Sequence, residues 1–138
     1  MLDHTGINVS DLECSKAFYL AALAPLDYVM TKEFETAAGF GVIAGHDKNR
    51  DPGGDFWIAR GVPQDPRVHI AFNAASRSVV DQFHRSALAA GGRDNGPPGL
   101  RAHYHAHYYA AFILDPDGYN IEAVCHLPDK PRTPSPSW

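Results

Sequence analysis

The spacing of apolar positions changes along this chain, and the changes come twice in the same order. From His4 to Val9, "HTGINV", side chains alternate. Thr5, Ile7 and Val9 take one face of a short strand, and His4, Gly6 and Asn8 take the other. The period then lengthens: Leu12, Phe18, Ala22 and Leu23 fall on one side of a helix, which Ser10 opens with Glu13 three residues on as a capping box. A second alternating stretch sends Val68, Ile70 and Phe72 one way and His69, Ala71 and Asn73 the other. Ser76 opens a second helix with Val79, Val80, Phe83, Ala87 and Leu88 on its apolar face, and Gly91 is placed to take the left-handed turn that ends it. Extended segments follow each helix: "FGVIAG" and "DFWIAR" in the first half, "HYYAAFIL" and "YNIEAVC" in the second.

The two halves repeat one pattern. Shifted by 65 positions, "HTGINVSDLECSKAFYLAALA" lies over "HIAFNAASRSVVDQFHRSALA" with His4/His69, Asn8/Asn73, Phe18/Phe83 and the run Ala22, Leu23, Ala24 over Ala87, Leu88, Ala89 identical. Each half reads as strand, helix and two or three more strands. The chain is therefore expected to be α+β, one unit over residues 1–128 with modules at about 1–62 and about 67–127. The proline-rich stretch 129–138 reads as an extended or disordered tail. "DPDG", Asp115 to Gly118, folds the last two strands into a hairpin. Pairing Leu114 with Tyr119 there sets Ala111 opposite Glu122 and Tyr109 opposite Val124. "GPPG", Gly96 to Gly99, breaks the chain ahead of a histidine-rich strand, "RAHYHAHYYAAF", and "HDKNRDPGG" is a long polar loop able to serve as a lid.

Composition narrows the partners. A net charge of −4 without a basic run offers no footprint for nucleic acid or an anionic membrane. No apolar run is long enough to span a bilayer and no leader is evident, so a soluble, cytoplasmic protein is expected. Cys14 and Cys125 are too few and too distant for a disulfide scaffold. Neither a G-x-S-x-G turn nor a phosphate-cradling loop is present, which sets aside serine hydrolases and P-loop enzymes.

What remains is a matched pair of strand faces, histidine, small residue, asparagine, which read as the lining of a cavity: His4, Gly6, Asn8 and His69, Ala71, Asn73. Glu122 lies between Ile121 and Ala123, where a carboxylate must be exposed, paired or metal-bound. His4, His69 and Glu122 together would make the two-histidine, one-carboxylate set of non-haem iron enzymes. That set favours Fe2+, with Zn2+, Ni2+ or Mn2+ as alternatives. On the expected hairpin pairing, Tyr109, His107 and His105 project to the side of Glu122 as candidate acids, bases or anion-steadying groups, while Tyr108 does not. His46, His84 and His126 read as surface residues, and His103 as a wall residue without a chemical step.

"HTGINVSDLECSKAFYLAALAPLDY", "VHIAF" and "YYAAFILDPDGYNIEAVCH" resemble the vicinal oxygen chelate superfamily of glyoxalases, extradiol dioxygenases and bleomycin resistance proteins. The resemblance implies two βαβββ modules in a cupped, mostly antiparallel mixed sheet with helices outside, often completed by a homodimer. Metal ligands on the first and last strands of each module correspond to His4, His69 and Glu122. Carrying Glu122 back by the repeat offset gives Trp57 at the fourth position, where glyoxalase I has a glutamate. Asp55, on the same strand face, is the fallback ligand, and Trp57 becomes a cavity wall able to stack on a planar substrate. The expected activity is oxygenative cleavage, or isomerisation of the glyoxalase type, of a small oxygen-rich or aromatic molecule. The alternative is a metal-free binding protein of the resistance type.

Overall fold

In the computed structural model, which describes residues 1–129, the repeat becomes two copies of one βαβββ unit. The first holds β1 (Thr5–Val9), α1 (Leu12–Ala22), β2 (Val29–Glu33), β3 (Ala37–Gly41) and β4 (Phe56–Arg60). The second holds β5 (His69–Asn73), α2 (Arg77–Ala89), β6 (Arg93–Leu100), β7 (Tyr109–Leu114) and β8 (Asn120–Cys125). Strand order is β1-β4-β3-β2 in one sheet and β5-β8-β7-β6 in the other. The first and last strands of each module run side by side and parallel; the other pairs are antiparallel. The architecture is the expected α+β pair of βαβββ modules, each with an open, mixed four-stranded sheet. The expected tail from 130 onward lies outside the described residues; Asp129 is the last of them.

One apolar core joins the modules. Ile7, Val9, Phe56 and Ile58 from the first sheet, Phe72, Ile113 and Ile121 from the second, and Phe18, Tyr19, Val80 and Phe83 from the helices are all buried in it. Phe56 meets Phe72 edge-on at 5.3 Å between ring centres. The helices pack on the apolar sheet faces and on each other, so the opposite face of each sheet carries no helix. Polar links add to the join. The Tyr19 hydroxyl donates to the buried Asp115 carboxylate at 2.5 Å, and the Tyr119 hydroxyl donates to the Asn8 carbonyl at 2.7 Å. Burial raises the Asp115 carboxyl above its ordinary range, against the lowering effect of Tyr19 and two backbone amides.

Local signals were met to different degrees. Ser76 caps α2 by accepting from the Val79 amide at 3.2 Å, and Gly91 takes the positive φ of 100°. At α1 the cap is Asp11, which accepts from the Cys14 amide at 3.1 Å, and not the expected Ser10–Glu13 box. Ser10 instead donates to Asp117, and Glu13 pairs with Lys16. β3 ends at Gly41, so most of "FGVIAG" belongs to the following loop.

Two corrections matter for the site. The "GPPG" segment does not break the second sheet but lies within β6, its edge strand, which pairs only with β7 through a shifted register. Proline lacks the amide donor and is tolerated where one strand side is free. Residues 101–108 are turns rather than strand. The closing hairpin is also one residue wider than expected. Asp115 N–H donates to Tyr119 O, Gly118 takes φ 88°, and Leu114 pairs with Asn120. Phe112, not Ala111, therefore lies opposite Glu122, and Tyr109 lies opposite Cys125. A one-residue slip inverts the facing of every side chain on a strand.

Candidate metal centre

On the helix-free face of the second sheet, the parallel pairing of β5 with β8 brings His69 and Glu122 into contact. Nε2 of His69 lies 2.9 Å from Oε1 of Glu122, while Nδ1 of the same ring meets the Asn120 carbonyl at 2.8 Å. The carbonyl can only accept, so Nδ1 carries a proton and a neutral ring turns its Nε2 lone pair towards the carboxylate. Two acceptors at that distance are compatible only with a proton or a cation shared between them. A first-row metal ligated at about 2.0–2.2 Å by each atom fits the separation. A ring nitrogen tied back to a backbone carbonyl is also the usual outer support of a metal-binding histidine. The Glu122 side chain is 3% exposed and that of His69 45%, so the pair opens to solvent on the imidazole side.

The other Glu122 oxygen is held by Tyr108, whose hydroxyl donates to Oε2. Burial first, and the adjacent carboxylate second, push that hydroxyl up to about 12. Phe112 completes the wall, its ring 6.1 Å from that of His69. Tyr108 is the residue missed by sequence reasoning, and the missing signal was the width of the "DPDG" turn. Tyr109 points to the opposite face, where it donates to Asp81 of α2 at 2.6 Å and lies beneath the Arg77 guanidinium. His105 does not reach Glu122. Its Nε2 meets Nδ1 of His126 at 2.9 Å, its Nδ1 accepts from the His107 amide, and the His107 ring is exposed. His84 is not a free surface residue; it bonds Asp94 at 3.0 Å with 12% of its side chain exposed.

His4 is elsewhere. Its Nδ1 lies 2.7 Å from Asp3, and with Asp51 these make the only trio of metal-capable side chains within 4.8 Å among the described residues, all three exposed. The Asp3 contact raises the His4 pKa above its ordinary value. One chain therefore does not bring His4 to His69 and Glu122. Trp57 and Asn8 lie on the first sheet, where Gln64 accepts from the Asn8 amide. Asp55 and Asn73 line a cleft of about 570 Å³ with Tyr28, Asn49 and Val79. There the Asp55 Oδ2 accepts from Tyr28 and Asn49, both at 3.0 Å, and its Oδ1 is buried without a partner among the described residues.

A repeated βαβββ unit with parallel first and last strands is a fold that places the chain in a class. The chain belongs to the Glyoxalase/Bleomycin resistance protein/Dioxygenase superfamily, whose family model matches residues 1–123. It is similar to a glyoxalase/bleomycin resistance protein from Albidiferax ferrireducens T118, with 29% identity, a TM-score of 0.71, and 89% of this chain and 96% of that one covered. A Bacillus halodurans protein follows at 26% identity and TM-score 0.64, covering 91% and 95%. A glyoxalase I variant from Zea mays shares the fold at 21% identity and TM-score 0.63, over 89% of this chain and 46% of that one. No curated protein matches. Among the described residues no helix is long and apolar enough to cross a membrane.

Proposed function

We propose that the chain is a metal-dependent enzyme acting on a small molecule with neighbouring oxygens, its centre assembled in a homodimer. His69 and Glu122 of one copy and the partner's His4 are the three ligands. The observation that carries this reading is the His69–Glu122 pair at 2.9 Å, with the imidazole tied back to Asn120 and the carboxylate to Tyr108. The dimer is supported by the separation of His4 from that pair within one chain.

Three ligands leave open positions and favour Fe2+ and oxygenative cleavage over Zn2+, Ni2+ or Mn2+. Bound there, the metal would supply Lewis-acid polarisation of the substrate oxygens and, as iron, redox capacity towards dioxygen. Around it, His69 and Glu122 bind, Tyr108 steadies the carboxylate, and Phe112 keeps one side apolar. A lyase or isomerase of the glyoxalase type is the next reading, and Trp57 at the fourth position offers it neither ligand nor base. The same substitution favours a metal-free binding protein as a second reading. Two free cysteines, one exposed, suit a cytoplasmic setting.

Complementation tests the shared centre. Chains carrying His4→Ala or Glu122→Ala should each purify without stoichiometric metal, and mixing the two should restore part of it, because a mixed dimer holds one complete ligand set. A site within one chain would gain nothing from mixing, and a wild-type chain that binds no divalent metal by calorimetry would remove the reading altogether.

A further inference from the structure

We propose that the helix-free face of the first sheet carries a binding shelf for a planar aromatic carboxylate, formed by Trp57, Phe34 and Lys32. Register runs one row straight across this sheet: Lys32 of β2 opposite Gly39 of β3, Gly39 opposite Trp57 of β4, and Trp57 beside Gly6 of β1. Residues directly paired across strands share a face, and the neighbours on the other face, Phe40, Phe56, Ile58 and Ile7, are buried in the core. Both cross-strand neighbours of Trp57 therefore lack a side chain, and the indole lies over the space left at Gly39.

The floor is close-fitting. A Cβ added at Gly39 would stand 2.8 Å from Cζ2 of Trp57 and 2.4 Å from the Gly53 carbonyl oxygen, and one added at Gly53 would stand 3.0 Å from the same Cζ2. The Phe34 ring stacks, offset, on the indole, 13° between planes and 6.2 Å between centres. Phe34 is 57% exposed and Trp57 half-buried. A stacked pair of rings, the inner one resting on backbone and both reachable from solvent, offers the outer face of the stack to a flat ligand. Lys32 adds an exposed ammonium at the end of the row, and none of the ion pairs among the described residues engages it. A cation beside an aromatic surface selects a ligand that is planar and anionic.

A merely structural Trp57 would cover the sheet and discriminate nothing. His4 stands two residues before Gly6, on the same side by alternation, so the shelf borders the proposed centre. That the bound acid is the substrate rests on the metal reading; that it binds does not.

Calorimetry of the full chain with 2-naphthoate and its saturated counterpart, decahydro-2-naphthoate, separates stacking from charge and bulk. The aromatic acid should bind about tenfold tighter. Trp57→Leu should abolish that preference, Phe34→Ala, at an exposed position, should weaken it, and Lys32→Gln should weaken both acids alike. Equal affinities in the wild-type chain, or a preference that survives Trp57→Leu, would overturn the shelf. So would a preference that disappears on EDTA treatment, an outcome that leaves the metal reading standing. A preference retained by a chain that holds no metal supports the shelf and removes the metal reading alone.

Discussion

Two adjacent tyrosines where the chain enters β7 turn to opposite faces of the second sheet. Tyr108 holds the Glu122 carboxylate, and Tyr109 holds Asp81 on α2. Their sequence surroundings are alike, and both hydroxyls are pushed up to about 12, each by burial first and by its carboxylate second. Only position relative to the pleat separates their roles. Removing the hydroxyl of a group that supports a metal ligand costs roughly 10-fold or more in metal affinity. Tyr108→Phe should therefore weaken metal binding by about that factor with little change in the urea midpoint. Tyr109→Phe should leave metal affinity intact and lower stability by about 1 kcal/mol. Calorimetric metal titration beside urea unfolding reads both; a reversal of the two phenotypes would show that the register described for β7 and β8 is not the one in solution. The matched faces of β1 and β5 were legible because a histidine, a small residue and an asparagine recur at one spacing. The role of Tyr108 was not, because it depends on how many residues the next turn consumes.

Elements were legible where a local rule acts alone. The helices follow from their apolar spacing, and the Ser76 cap and the Gly91 turn follow from backbone groups left open at helix ends. The α1 cap shows the limit of such rules: Ser10 and Asp11 are both good caps, and Asp117 from the other module engages Ser10. Asp11→Ala should cost about 1 kcal/mol in urea unfolding. Glu13→Ala, which removes only an exposed partner of Lys16, should cost well under half of that. Equal losses would restore the Ser10–Glu13 box. β6 was hidden for a different reason: its two prolines argue against a strand in general, and only its edge position makes them acceptable.

At the scale of the whole molecule, the modules are held together by a shared core and by a few polar links that span nearly the full chain. Tyr19 of α1 donates to Asp115 in the hairpin of the second module, and neither side chain has access to water. Tyr19→Phe leaves the carboxylate with its backbone donors only. The loss of one buried, charge-assisted bond should lower stability by about 1–3 kcal/mol. Because the two modules share one core, unfolding should remain a single transition, followed by circular dichroism and tyrosine fluorescence together. Two separated transitions would show modules that fold independently. The same arrangement turns the two helix-free sheet faces outward, which is why His4 meets Asp3 and Asp51 rather than His69 and Glu122.

The sequence by itself determined the repeat, the two helices, the strands that open each module and the residues on the open face of each. All of these arise from interactions between side chains no more than four positions apart, repeated along the chain. Tertiary structure alone decided the register of the closing hairpin, the strand made of "GPPG", and which tyrosine reaches Glu122. It also decided that the histidines matched by the repeat do not meet within one chain. Those outcomes depend on the closure of a turn, on a strand's place at a sheet edge and on the packing of one module against the other, and no local periodicity records them.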